Sequence, residues 1–345
     1  ADLVNHGKWL RCRSVQDQAR SVREALESRG VPMAEISAAL MEAGQGGNPD
    51  RPGETSTEKD LDMLPAKAVL TQHARTHFRL FSDPFNDEIS VPEDLFLTPE
   101  AREVREAIYQ AARTQSLTAI VGESGAGKTT LKDELIERVR GDKIEVIEVR
   151  AAQIVEALLA TLAPTGRHRQ TMEARYRQLH RVLCESSRGG HKHLLVIDEA
   201  HCMPTPTLKH LKRFAELRDG LRRTLGILLI GQPELGLRLD ERNPELREVT
   251  QRFMVFRLAP LTGNVAAYLR HKLARQGRDL RELIDDGGVE AIAARLTVHQ
   301  PKAPGRRNVL AMSYPLAVNN LTTAALNLAA ELGEPTVTAD VVKEA

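Results

Sequence analysis

Five short apolar runs, separated by longer amphipathic segments, constrain the fold of this 345-residue chain more than any other feature. The runs are LTAIV at 117–121, IEVIEV at 144–149, LLVI at 194–197, GILLI at 226–230 and FMVFRL at 253–258. The uninterrupted runs at 194–197 and 227–230 are typical of strands that are buried on both faces, as in a parallel sheet. Strands that alternate with helices predict an α/β, doubly wound domain.

The regions on either side of this alternating segment have a different character. Residues 1–43 show helical apolar periodicity, and residues 44–66 are rich in Gly, Pro and charge, which is typical of a flexible linker. After the last apolar run the pattern is helical only. We therefore predict a helical N-terminal region at 1–43, a linker at 44–66, an α/β core at 67–260 and an all-helical domain at 261–345.

Composition limits the classes of protein that this chain can belong to. The net charge of +1 excludes a globally basic coat for nucleic acid, although local basic clusters can still act. Three cysteines, Cys12, Cys184 and Cys202, are too few and odd in number for a disulfide framework, so a reducing cytoplasm is expected. No apolar run approaches the ~20 residues that span a bilayer, and no signal peptide is visible. The first residue is Ala1 rather than Met, which leaves open whether residues precede it.

The segment VGESGAGKTT at 121–130 matches the phosphate-binding loop pattern, with an apolar strand before it and a helical segment after it. Glycines let backbone N–H groups close around phosphates, and the helix N-terminus adds positive potential. The lysine is expected to reach the terminal phosphates of ATP, and Thr129 to bind Mg²⁺. The alternative is a chance Gly-rich turn. The predicted nucleotide-binding residues of the loop are Gly122, Glu123, Ser124, Gly125, Ala126, Gly127, Lys128, Thr129 and Thr130.

Three polar side chains follow buried strands and are predicted to face the same crevice, because parallel strands present their carboxyl ends to the ligand. Asp198 is the predicted second Mg²⁺ ligand, and Glu199 the base that orients the attacking water. Gln232 lies at the end of the strand predicted in ILLIGQPEL (227–235) and can contact the γ-phosphate or the water. The alternatives are an acid pair that caps the next helix, and a plain turn at Gly-Gln-Pro.

A basic segment begins about ten residues after the acid pair. Lys209, Lys212 and Arg213 have i, i+3 and i+4 spacing, which puts them on one helix face opposite Leu208, Leu211 and Phe214. Further arginines are predicted around the same helix, at 218, 222 and 223, and a second basic cluster lies at 166–181. Such a face can follow the phosphate backbone of duplex DNA, and Arg150 is a further candidate. The alternative is an ordinary solvated face with i,i+4 pairs such as Lys212 with Glu216.

Taken together, the phosphate loop, the acid pair, the polar strand end and the helical C-terminal region resemble an AAA+ ATPase. The segments FRLFSDPF (78–85), FLTPEAREV (96–104), GESGAGKTT, LLVIDEAH and ILLIGQPEL resemble the ExeA-like branch, which includes the target-selecting transposition ATPases of the phage Mu B type. This resemblance covers roughly residues 76–345. It implies a bacterial, cytoplasmic ATPase that uses ATP and Mg²⁺.

The resemblance also implies partners. A Mu B-type protein forms a homo-oligomeric ring or filament on double-stranded DNA, without sequence preference, and delivers that DNA to a transposase. The segment ADLVNHGKW at 1–9 is similar to the second half of a helix-turn-helix, the alternative being a generic helical hairpin. The competing interpretations are an ExeA-like assembly ATPase that acts on a protein or cell-wall partner without DNA, and a replication or plasmid loader.

The resemblance further implies two arginines. One reaches the site from the neighbouring subunit, and here Arg252, with Arg247 as second choice, occupies the expected place before the last core strand. The other lies in the C-terminal lid, where this chain has Leu316 in SYPLAVNNL; Arg306 or Arg307 could replace it only if the loop folds back. The loop after residue 149 is also shorter than in relatives, or incomplete near 150–151.

Overall fold

The computed structural model describes residues 66–85, 91–150, 154–163, 171–303 and 306–345, all of which belong to one compact unit, Leu64–Ala345. The predicted N-terminal helices, the partial helix-turn-helix and nearly all of the predicted linker lie outside the described residues, as does the connection at 151–153. Within the described part of the chain, no helix is long and apolar enough to cross a membrane.

The central element is a five-stranded parallel sheet in the order β2-β3-β6-β1-β7. Its strands are β1 (Leu117–Val121), β2 (Ile144–Arg150), β3 (Lys192–Asp198), β6 (Gly226–Gly231) and β7 (Met254–Arg257). All five lie where the apolar runs predicted them. The predicted α/β class is therefore confirmed.

Helices cover both faces of the sheet. They are α2 (Pro99–Thr114), α3 (Lys128–Val139), α4 (Ile154–Leu162), α5 (Met172–Arg188), α6 (Thr205–Ala215), α7 (Pro233–Arg238) and α8 (Arg247–Thr250), and the preceding helix α1 (Gln72–His77) packs elsewhere. Because successive strand residues point to opposite faces, Leu195 and Ile197 pack in the cluster formed with α4, α5 and α6, whereas Leu194 and Val196 pack in the cluster formed with α2 and α3. Burial on both faces explains why these strands are continuously apolar.

The C-terminal part adds a third hydrophobic cluster. Its helices are α9 (Val265–Ala274), α10 (Leu280–Leu283), α11 (Asp286–Arg295), α12 (Pro315–Leu332) and α13 (Ala339–Glu344). Residues of α1, such as Ala74, pack in this cluster and not against the sheet. The buried face of α12 includes Leu321 and Ala325, and Gly333 ends the helix in the left-handed conformation, as the sequence pattern predicts.

The prediction of helices only after residue 264 is wrong in one segment. Strands β8 (Thr297–Ala303) and β9 (Arg306–Ala311) form an antiparallel hairpin with a register shift between Pro301 and Ala303. The sequence carries a Pro-Gly turn signal at 304–305 between two stretches that contain β-branched residues. Because the backbone N–H and C=O groups of each strand pair with those of the other, the segment satisfies its backbone hydrogen bonds without forming a helix.

Candidate active site

The loop between β1 and α3 has the backbone conformation that its glycines predict. Gly125 and Gly127 have φ values of +75° and +92°, in the region that residues with a Cβ avoid, and Gly127 is the residue that precedes α3. The loop therefore wraps around the N-terminus of a 12-residue helix, where free N–H groups and the helix dipole favour an anion.

Lys128 is the first residue of α3 and is 8% exposed. Its Nζ donates hydrogen bonds to the carbonyl oxygens of Gly122 at 2.7 Å and Glu123 at 2.8 Å. Burial lowers the pKa of Lys128, and the negative charges of Glu199, Glu123, Asp198 and Glu234 oppose that shift. The ammonium group thus lies inside the loop, bound to carbonyl oxygens that a phosphate oxygen would have to replace.

Strand order explains why the other predicted groups meet this loop. Because β6 lies between β1 and β3, the ends of three adjacent strands carry the phosphate loop, Gln232 and the acid pair. Asp198 is at the end of β3, and its Oδ1 accepts a hydrogen bond from the backbone N–H of Glu199 at 2.9 Å. Its Oδ2 lies 3.8 Å from Nζ of Lys132. Glu199 itself has a φ of +51° and an exposed side chain.

The predicted groups line one open cavity of about 420 Å³, within the usual size range of ligand sites. The predicted residues among its lining are Ser124, Gly125, Ala126, Gly127, Lys128, Thr129, Thr130, Asp198, Glu199 and Gln232. Gly122 and Glu123 contribute the carbonyl oxygens that hold Lys128. Burial, followed by the charge of Glu234, raises the pKa of the Glu123 carboxyl group.

Thr129 and Asp198 suit the Mg²⁺ role predicted for them. Thr129 is exposed. Only Oδ1 of Asp198 accepts the hydrogen bond from the Glu199 amide, and Oδ2 does not take part in it. Hydroxyl and carboxylate oxygens are the ligands that Mg²⁺ prefers. Because both residues line the same cavity as the phosphate loop, a Mg²⁺ bound there would lie beside the phosphates.

The cavity also has a wall that sequence reasoning missed. Tyr268 and Lys272 come from α9, Asn319 comes from α12, and Phe96 comes from the segment before α2. Tyr268 donates a hydrogen bond to Oδ1 of Asn319 at 2.8 Å and packs edge-on against Phe96. Burial raises the pKa of Tyr268, so its hydroxyl remains a donor. The i,i+4 spacing of Tyr268 and Lys272 on a helix was the available signal for a shared polar face.

Leu316 lies directly on the phosphate loop. Its backbone N–H donates to the carbonyl oxygen of Gly125 at 3.3 Å, and a Cβ placed on Gly125 would lie 2.3 Å from the Leu316 Cβ. The position at which relatives are expected to have an arginine is therefore an apolar contact between α12 and the loop. The side chains of Arg306 and Arg307, the proposed substitutes, lie outside the described part of the structure.

Arg252 does not line this cavity. Arg252 lies on the segment between α8 and β7, and its Nη2 is 3.1 Å from Oε1 of Glu216. Arg247, the second choice, is exposed at the start of α8. Neither side chain completes the site of its own subunit, and a role in a neighbouring subunit stays a prediction.

The basic helix is α6, and its buried face consists of the predicted Leu208, Leu211 and Phe214. Lys209 and Arg213 are exposed, and neither has an ion-pair partner among the described residues. Lys212 instead pairs with Glu248, and its hydrogen bond and then its charge lower the pKa of that carboxyl group. The suggested Lys212–Glu216 pair is therefore wrong, since Glu216 pairs with Arg252.

The arginines at 218, 222 and 223 do not lie around this helix as predicted. They form a separate two-stranded hairpin, in which β4 (Arg218–Asp219) pairs with β5 (Arg222–Arg223). Gly220 turns the chain with a φ of +62°, and Leu221 at the tip is 94% exposed. Arg188 pairs with Asp219, the residue before the turn, at 2.8 Å and so anchors the hairpin to the end of α5. Helix α6 therefore ends at Ala215, before these three arginines.

The remaining basic candidates are only partly described. In the cluster at 166–181, residues 166–170 lie outside the described residues, and Arg175 and Arg177 pair with Glu156 and Glu173. Arg150 ends β2 opposite Asp198 in the sheet register, and its side chain lies outside the described part.

Comparison with known proteins gives one domain match and several distant relatives. Residues 111–239 match the family model of an AAA domain. The chain is 28% identical over 165 residues to General secretion pathway protein A of Aeromonas hydrophila, a match that covers 46% of this chain and 30% of that protein. It is 26% identical over 251 residues to the ABC-type transporter eriD of Hericium erinaceus, covering 66% of this chain and 16% of that protein.

Among solved structures, Cdc6p from Pyrobaculum aerophilum superposes with a TM-score of 0.49 at 15% identity, covering 78% of this chain and 69% of that chain. The chain spans less than a third of the length of the two curated relatives. Residues 111–239, which match the AAA domain, contain the phosphate loop, the acid pair and Gln232, and the parallel sheet brings these groups to one cavity at its carboxyl edge.

Proposed function

We propose that this protein is an ATP-dependent DNA-binding ATPase of the phage Mu B type. It assembles as a homo-oligomer on double-stranded DNA in the bacterial cytoplasm, binds it without sequence preference and delivers it to a transposase. One observation carries the proposal: the basic helix α6 begins seven residues after Asp198 and is tied to the nucleotide site by hydrogen bonds.

The nucleotide bound at the ATP site determines when the protein binds DNA. Lys128 leaves its loop carbonyls to contact the terminal phosphates. Thr129 and Asp198 would hold a Mg²⁺ ion, which would neutralise phosphate charge. Glu199 accepts a proton from the attacking water, and Gln232 contacts the γ-phosphate or that water. Arg252 from a neighbouring subunit stabilises the charge of the transition state, so that hydrolysis depends on assembly.

Arg238 connects this site to α6. Its Nη1 donates to the carbonyl oxygen of His201 at 2.8 Å, and its Nη2 donates to Oγ1 of Thr205, the first residue of α6, at 3.3 Å. Arg238 belongs to α7, which begins directly after Gln232. A displacement of Gln232 by the γ-phosphate is therefore passed through α7 to the start of the basic helix.

Two prolines stiffen the same connection. Pro204 precedes α6, and Pro206 lies in its first turn, where a fixed φ favours helix initiation. Replacing both with Gly should reduce the stimulation of ATPase activity by DNA while leaving the basal rate unchanged. Unchanged stimulation would mean that the segment only connects β3 to α6.

The DNA surface consists of Lys209 and Arg213 on α6, both of which are exposed; Arg218 and Arg222 of the separate hairpin are two further exposed cations. Exposed cations that follow a phosphate backbone give affinity without reading bases. The predicted interface has no exposed aromatic side chain on which a base could stack, as single-strand binding would require.

The test is ATP-dependent binding to random-sequence duplex DNA in a gel shift, over a range of salt concentrations. Each lost phosphate contact reduces the slope of log affinity against log salt by about 0.9. The Lys209→Ala/Arg213→Ala variant should therefore lower that slope by about 2. The matched control, Arg140→Ala/Lys343→Ala, removes the same charge from two surface ion pairs elsewhere and should leave the slope unchanged. A flat salt response of the wild type would refute the proposal.

A second candidate function is an assembly ATPase that acts on a protein or cell-wall partner without DNA. The 28% identity to General secretion pathway protein A favours it. The two candidates differ in the same assay, because the assembly ATPase should not bind duplex DNA even at low salt.

A further inference from the structure

A second cluster of potential ligands lies beside the predicted catalytic base. The carboxylate of Glu199, a ring nitrogen of His201 and the thiol of Cys202 all lie within 4.8 Å of one another. His201 and Cys202 do not line the nucleotide cavity, so Glu199 is the residue that this cluster shares with it. Oxygen, nitrogen and sulfur ligands in one cluster are typical of a zinc site and not of a magnesium site.

The backbone explains why these three side chains converge. Glu199 has a left-handed conformation, and the next three residues, Ala200–Cys202, form one turn of 3-10 helix. The N–H of Cys202 donates to the carbonyl oxygen of Glu199 at 3.0 Å. Side chains at i and i+3 are eclipsed in a 3-10 turn, so the carboxylate and the thiol project from the same edge.

His201 is held in place from two sides. Arg238 binds its carbonyl oxygen, and the backbone N–H of Gln232 points at its Nδ1 over 3.4 Å. As the acceptor of this N–H, Nδ1 is unprotonated, and the contact is long enough for a cation to replace the amide at its lone pair. Oε2 of Glu199 lies 3.5 Å from the same atom. Glu199 and His201 thus offer an oxygen and a nitrogen ligand close to each other.

We propose that Glu199, His201 and Cys202 bind a thiophilic divalent cation of the Zn²⁺ type. The ligand atoms need to approach by about 1 Å to reach the zinc–ligand distances of about 2.0 Å for oxygen and nitrogen and 2.3 Å for sulfur. The exposed side chains of Glu199 and Cys202 allow this movement. Binding releases the Cys202 thiol proton to solvent, and water completes the coordination.

Occupancy of this site inhibits ATP hydrolysis, because a carboxylate bound to a cation cannot accept a proton from water. This consequence rests on the proposed role of Glu199, whereas binding of the cation does not. The site thus gives the protein an inhibitory metal separate from the Mg²⁺ that Thr129 and Asp198 are proposed to hold.

The binding test uses Co²⁺ as a probe with the purified full chain. Wild-type protein should show a thiolate-to-cobalt charge-transfer band that one equivalent of Zn²⁺ removes. Cys202→Ser should lose the band, and His201→Ala should weaken affinity at least roughly tenfold, since even outer-shell changes cost this much. Cys184→Ser and Cys12→Ser are the matched controls and should keep it. No band in the wild type, or an equal band in Cys202→Ser, would overturn the proposal.

The activity test measures ATPase rate against Zn²⁺ concentration at a fixed excess of Mg²⁺. Zn²⁺ should inhibit the wild type and Cys184→Ser, with reversal by a chelator, and Cys202→Ser should need at least about tenfold more Zn²⁺. Equal inhibition of both variants overturns the inhibitory role. A chain without ATPase activity that still shows the cobalt band would contradict the proposed function and leave the metal site established.

Discussion

The contact between Leu316 and the phosphate loop predicts that alanine substitutions at two nearby glycines will differ in their effect on stability. Gly125 and Gly127 have similar positive φ values, and a Cβ on Gly127 would meet nothing within 4 Å, whereas a Cβ on Gly125 would lie 2.3 Å from that of Leu316. Replacing either with Ala imposes a similar backbone strain of roughly 1–2 kcal/mol. Only Gly125→Ala also forces α12 away from the loop.

The additional cost of Gly125→Ala follows from the contacts that α12 would lose. The hydrogen bond from Leu316 N–H to Gly125 contributes about 1 kcal/mol. Leu316 is 45% exposed, so the half of its side chain that is buried contributes roughly another 1 kcal/mol. Gly125→Ala should therefore reduce the free energy of unfolding by about 2 kcal/mol more than Gly127→Ala does.

The assay is urea denaturation without nucleotide, followed by far-ultraviolet circular dichroism, on a double-mutant cycle with Leu316→Gly. In the Leu316→Gly background the obstructing side chain is gone, and Gly125→Ala should cost no more than Gly127→Ala. Equal destabilisation of the two alanine variants in the wild-type background would refute the contact between the helix and the loop.

Three further predictions concern the site and the core. Glu199→Gln should retain ATP binding and lose at least about 100-fold in turnover, measured by nucleotide binding and phosphate release, because the amide cannot act as a base; near-normal hydrolysis would remove Glu199 from this role. Arg252→Ala should also be inactive, and mixing it with Glu199→Gln subunits should restore activity if each site is shared between subunits; failure of this complementation would count against the shared site. His193 is fully buried, and burial lowers its pKa, although its hydrogen bond to the carbonyl oxygen of Thr224 opposes the shift. The unfolded chain then binds more protons below about pH 6.5, so stability should fall as the pH drops through this range, and the melting temperature should fall less in His193→Gln.

Local sequence patterns predicted the strands and the chemistry of the loop because both depend on short-range physics. A strand buried on both faces must be apolar throughout, so β3 and β6 were recognisable from single runs. The spacing of Gly122, Gly127 and Lys128 is dictated by the geometry with which a backbone surrounds phosphate, and that geometry lies within one loop. The buried face of α6 followed from its helical period in the same way.

Contacts between distant segments could not be read in this way. The partner of Lys212 is Glu248, 36 residues away, whereas helix spacing alone favoured Glu216. The hairpin β4–β5 pairs only two residues on each strand, which gives little periodicity, and β8–β9 depends on the pairing of two strands across a turn. Tyr268 and Asn319 meet 51 residues apart because α9 and α12 share a core.

The sequence by itself determined that the chain has a loop of the phosphate-binding pattern and carboxylates at a strand end, since each depends on residues close together in the chain. The tertiary structure alone decided that β6 lies between β1 and β3, and this order brings Gln232, the loop and the acid pair to one edge. It also decided that Arg238 joins this edge to α6 and that Leu316 lies on the loop. Such juxtapositions depend on which helices pack on which face of the sheet, and packing is a property of the whole core.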